Sequence, residues 1–108
     1  MEEIYDYWRS AYAVQDRIIF ICHEDKFYTF ERNAKQVATI LLDAVGEQRA
    51  HELSEVTKAM VIENKSMRDV VSLTFTEDAI LEVMRVLVGA GVQALVVGAT
   101  DKLQLWQE

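Results

Sequence analysis

Apolar and polar positions recur with two different periods along this chain, and each change of period marks an element. Over residues 2–14, Ile4, Trp8, Ala11 and Tyr12 fall at helical spacing with Glu2, Glu3, Asp6 and Arg9 opposite, which predicts an amphipathic first helix. "DRIIFICH" is then apolar on both alternating faces, the pattern of a central strand covered on both sides. "EDK" predicts a turn, and the aromatic-rich "KFYTF" a second strand in a hairpin with the first.

The helical period returns over 31–45, where Ala34, Val37, Ala38, Leu41, Leu42 and Val45 share a face and Gly46 stands at the C-terminal cap position. Residues 47–69 read as a variable helical or loop segment. We expect a helix into Ala59 and then a loop, with "KAMVIE" as an edge strand in the other reading. "VVSLTF" predicts a strand, and Thr76 or Asp78 can cap a helix over 77–90 that buries Ile80, Val83, Met84 and Leu87. "QALVVG" and "LQLWQ" predict a final hairpin across "ATDK". The expected fold is α+β: one domain over 1–108, with a mixed sheet of about five strands flanked by helices.

Composition agrees with a folded domain, since 51% of the 108 residues are hydrophobic and 27% charged, enough for one core under a polar surface. The net charge of -7 argues against nucleic-acid binding through bulk electrostatics and leaves room only for a local basic patch. No apolar run is long enough to cross a membrane, and the start is acidic and aromatic where a signal peptide is basic and then apolar. The single cysteine, Cys22, sits in an apolar strand, so we expect a cytoplasmic protein without disulfides.

Candidate chemistry is sparse. Cys22 and His23 are strand neighbours that point to opposite faces, and there is no nucleophile elbow or pair of carboxylates across a cleft. His51 lies at helical spacing from Glu47 and Glu55, but three such groups without a cysteine or second histidine read as a solvated helix face. We expect no enzyme, cofactor or metal.

One resemblance carries more. "YDYWRSAYAVQD", "IIFICHEDKFYTF" and "ERNAKQVATILLDA" resemble, in order and spacing, the opening helix, strand-turn and helix of the N-terminal mismatch-recognition domain of MutS-type DNA mismatch-repair proteins. "VVSLTFTEDAILEVMRVLVGAGVQALVV" is similar to a later strand, helix, glycine turn and strand of that domain. The resemblance implies a MutS N-terminal-like fold and a contact to distorted DNA. That family works through a Phe-x-Glu motif on the turn. Those positions are Lys26 and Tyr28 here, or Phe27 and Thr29 with the frame moved by one, so neither frame supplies the glutamate. The family's glycine before the aspartate is Glu24, and no GxxxxGK[ST] phosphate loop is present.

The resulting expectation is a non-catalytic stand-alone domain that binds distorted or single-stranded DNA near the turn, with Lys26, Phe27, Tyr28 and Arg32 as contacts and Arg17 and Lys35 close in sequence. Against it, alternating aromatics in a strand are usually core, and Glu24, Asp25 and Glu31 oppose a phosphate. The alternative is an acidic protein-interaction module or homodimer without nucleic acid. Trp106 on the last strand then serves either as a partner anchor or as core cover.

Overall fold

The computed structural model describes residues 2–15, 17–63, 66–98 and 104–106. Its elements are α1 (Glu2–Gln15), β1 (Ile18–His23), β2 (Lys26–Phe30), α2 (Glu31–Leu53), β3 (Glu55–Glu63), β4 (Ser66–Thr76), α3 (Glu77–Gly89), β5 (Ala94–Gly98) and β6 (Gln104–Trp106). The strands form one mixed sheet in the order β3-β4-β2-β1-β5-β6. Only β1 and β5 run parallel; every other neighbouring pair is antiparallel.

Strand alternation sorts the core into two layers. Ile18 and Phe20, with Leu73, Phe75 and Val96, face α2 and α3 and pack on Val37, Leu41, Val83 and Leu87. Ile19 and Ile21, with Phe30, Val70, Leu95 and Val97, face α1 and pack on Ile4, Tyr5, Trp8 and Ala11. The doubly apolar β1 therefore lies where its pattern requires, between β2 and β5 and covered on both faces.

Asn33 joins the two layers. It is fully buried at the start of α2, and its Oδ1 accepts from Trp8 Nε1 on α1 and from the Ile19 backbone N–H on β1, both at 2.9 Å. Its Nδ2 donates to Gln36 Oε1, so this buried amide has its polar groups satisfied. Glu31, beside it at a positive φ of 45°, accepts from Tyr5 Oη at 3.1 Å and pairs with Arg68.

The segment 47–69 departs from its expectation. α2 reaches only Leu53, with a break at Gly46 (φ 84°, ψ 168°), and Glu55–Glu63 is a nine-residue edge strand paired along β4. No loop leads out of Ala59; its backbone is paired with Val70. β4 is 11 residues long and its first part, 66–71, runs beyond the reach of β2; its open side gives 55–63 backbone partners, which the helix-favouring Lys, Ala and Met do not outweigh. The sheet thus has six strands. Thr76 caps α3 as expected, its Oγ1 accepting from the Ala79 N–H at 3.2 Å.

The β1–β2 turn is a two-residue connection closed by the His23–Lys26 pair, with Glu24 and Asp25 at φ 49° and 64°. Positive φ at both positions is the type I′ geometry, which favours Asn-Gly because other residues there are strained by roughly 1 kcal/mol or more. Asp25→Gly is expected to raise stability by about 0.5 kcal/mol, because relief of the left-handed strain outweighs the glycine's extra unfolded-state entropy. Urea unfolding checks this. A lowered midpoint would show that Asp25 contributes more through its side chain than it costs in backbone strain.

Candidate functional site

The four sequence-predicted contacts do not converge on one surface. Lys26 is exposed at the turn, whereas Arg32 is exposed in the first turn of α2, beyond the other end of β2 and roughly 13 Å of strand away. Phe27 and Tyr28 point to opposite faces: Phe27 packs half-buried on the α2–α3 layer, and Tyr28 half-buried on the α1 layer. Trp106 is placed by its backbone pairing with Val96, and the expectations for its side chain lie outside the described residues.

The turn end of the sheet is acidic. Glu24 and Asp25 form the tip, Glu77 and Asp78 begin α3 beside it, and Glu52 and Glu55 line a hollow with Lys26 and Thr76. Two titrating groups register this field. Burial first, then the charges of Asp25 and Glu77, push the Cys22 thiol up, the reverse of what a thiolate nucleophile needs. Burial first, then Glu24 and Glu55, push the Tyr28 hydroxyl up. His51 lies 3.9 Å from Glu47 with both side chains exposed, while Glu55 is on β3 and off the helix, so the expected one-face trio is not formed.

The opposite end is cationic. Ile18 pairs with Ala94, so the starts of β1 and β5 lie side by side, and the hairpin brings the start of α2 to the same place. Arg17 and Arg32 line a cleft of about 400 Å³ together with Tyr12, Asn33, Gln36 and Gln93. Arg32 also lines an adjoining hollow with Lys35, Ile18, Ile40 and Val92. Arg17, Arg32 and Lys35 are all exposed, and none of the three is ion-paired among the described residues. Other cations have carboxylate partners: Arg49 holds Glu82 through two hydrogen bonds and Arg68 holds Glu31. Glu31, the acidic group nearest in sequence to Arg32, is thereby engaged by Tyr5 and Arg68.

Sequence reading placed all these cations around the turn because they are close in number. The signal that separates them is the hairpin itself, since counting outward from a two-residue turn puts Arg17 opposite Arg32 and far from Lys26. The result is a domain with opposite charge at the two ends of β1. No helix among the described residues is long and apolar enough to cross a membrane. Compared with models of known protein families and with curated proteins, the chain matches none of them.

Proposed function

We propose that this chain is a non-catalytic cytoplasmic domain, similar to the MutS recognition domain, that binds distorted or single-stranded DNA through its cationic end and not through the hairpin turn. One observation carries the reading: three cations without carboxylate partners among the described residues line adjoining clefts at the end of an acidic domain farthest from its acidic turn. Lys and Arg free of internal partners are available to displace counterions from phosphates, and the acidic turn would repel the strand and help fix which end docks.

The test is a fluorescence-anisotropy titration at low salt against matched, mismatched, looped and single-stranded DNA. Preferred binding to the looped or single-stranded probes, weakening as salt rises, is expected; flat curves on every probe sink the reading. Within the same titration Lys26→Glu is expected to change affinity less than twofold, because the charge reversal falls at an end already acidic and away from the clefts. A several-fold loss would return the contact to the turn.

A second reading, self-association, is favoured by the outer edge of β3, which pairs only with β4 among the described residues, and by exposed Val56 and Met67 near it. Light scattering tests it. A mass that doubles with concentration supports the reading, and a constant monomer mass removes it.

A further inference from the structure

We infer that the cationic end holds a groove for a single unpaired strand of about three nucleotides, with phosphates on Arg17, Arg32 and Lys35 and bases against an apolar lining. This rests on the DNA-binding reading above and narrows it to one strand form and one length. Three adjoining hollows of about 420, 400 and 380 Å³ make up the groove. Val92 lines all three, Arg17 the first and second, and Arg32 the second and third, so the two arginines stand where one hollow passes into the next, while Lys35 lines the third.

The lining suits bases between those charges. Met84, Leu87 and Val88 form the apolar wall of the first hollow, while Ile18, Ile40 and Val92 form that of the third. Gln36 and Gln93 bring amide donors and acceptors to the middle one, and each volume is that of an ordinary small-ligand pocket, roughly 300–1,000 Å³. A duplex keeps its base faces stacked inside and presents phosphates and base edges, so it has no base face to lay on the apolar walls. A peptide of acidic residues alone would meet the cations but has no flat apolar group for the outer hollows. Arginines set between apolar outer hollows and an amide-lined middle one are what an unpaired strand matches, because phosphate and base alternate along it.

The full chain is titrated at low salt with labelled oligothymidylates from dinucleotide to octanucleotide, with a duplex hairpin, and with oligoglutamate as competitor. Affinity is expected to climb and level off at the tri- or tetranucleotide, with the duplex at least tenfold weaker and oligoglutamate a poor competitor. Val88→Asp changes an exposed side chain at the first hollow, and is expected to lower single-strand affinity several-fold while the protein stays folded, with only the small fall in thermal midpoint that a carboxylate in the last turn of α3 brings. Affinity still rising at the octanucleotide, equal binding of duplex, displacement by oligoglutamate, or no effect of Val88→Asp would overturn the groove while leaving DNA binding intact. No binding to any oligonucleotide would end both readings.

Discussion

Asn33→Ala is expected to cost about 3 to 5 kcal/mol, because two buried donors lose their acceptor at once. Trp8 Nε1–H and the Ile19 N–H both point at Asn33 Oδ1 at 2.9 Å, inside the core and away from water. Each stranded donor costs roughly 1–3 kcal/mol, and the truncated side chain adds a small cavity term. Against a typical total of about 5–15 kcal/mol, that leaves a marginal domain at best. Urea unfolding with the Trp8 environment followed by fluorescence measures it. Thr39→Ala is the control: its hydroxyl bonds the Lys35 carbonyl on the exposed side of the same helix, so its removal should cost well under 1 kcal/mol. A loss of less than about 1 kcal/mol for Asn33→Ala would mean that the two donors find other acceptors and that the joint between the layers is redundant.

That joint also bears on the site, because Asn33 lines the cleft between Arg17 and Arg32. The amide fixes the start of α2 against the start of β1, so the spacing of the backbone that carries Arg17 and Arg32 is set from inside the core. Trp8 is held in turn by Asn33 and by ring contacts with Tyr5, Tyr12 and Phe30 at 5.9, 5.1 and 5.9 Å. Backbone geometry at the cationic end is thus carried by one aromatic stack and one buried amide. Nothing in residue spacing announces this. Asn33 reads in sequence as a polar helix-start residue, and its burial follows only from the crossing of α1 over β1 and β2.

Local pattern carried most of the fold because in those segments side-chain periodicity and backbone pairing agree. β1 is apolar from Ile18 to Cys22 and is buried on both faces over Ile18–Ile21; α3 has Ile80, Val83 and Leu87 on one side and they are buried, with Ala79 beside them. β3 was not legible for the opposite reason. "EVTKAMVIE" contains residues that suit either structure, and the choice is made by the unpaired flank of β4, a partner that lies beyond it in the chain. The turn was legible as a turn but not as type I′, since Glu-Asp lacks the residues that usually mark positive φ.

The candidate site was half legible: the residue types can be read from the sequence, but their division between the two ends of the hairpin cannot be read from their closeness in number. Lys26, Arg32, Arg17 and Lys35 are within 19 positions of one another in the chain, but a hairpin is a device for moving sequence neighbours to opposite ends. Proximity in number favoured the turn, whereas register favours the start of α2. The aromatics divided for the same kind of reason, with Phe27 and Tyr28 on successive strand positions and hence on opposite faces. A wedge at the turn would need an aromatic ring clear of the core, and both rings there are half-buried against it.

Reversing all three cations, Arg17→Glu with Arg32→Glu and Lys35→Glu, should therefore lower single-strand affinity by at least about 100-fold while the protein stays folded. The side chains are exposed and unpaired among the described residues, so each change should fall within about 0.5 kcal/mol in stability. A carboxylate at position 32 or 35 also lies in the first turns of α2, where the helix dipole favours negative charge. Salt dependence separates a lost contact from a general increase in negative charge. If the three cations each neutralise a phosphate of a single strand, the slope of log affinity against log salt should flatten by about 2, at roughly 0.7 per contact. Lys26→Glu adds negative charge without touching the groove and should leave that slope unchanged. A triple variant with wild-type slope, or one whose affinity falls no further than that of Lys26→Glu, would show that the cations at the start of α2 do not meet phosphate.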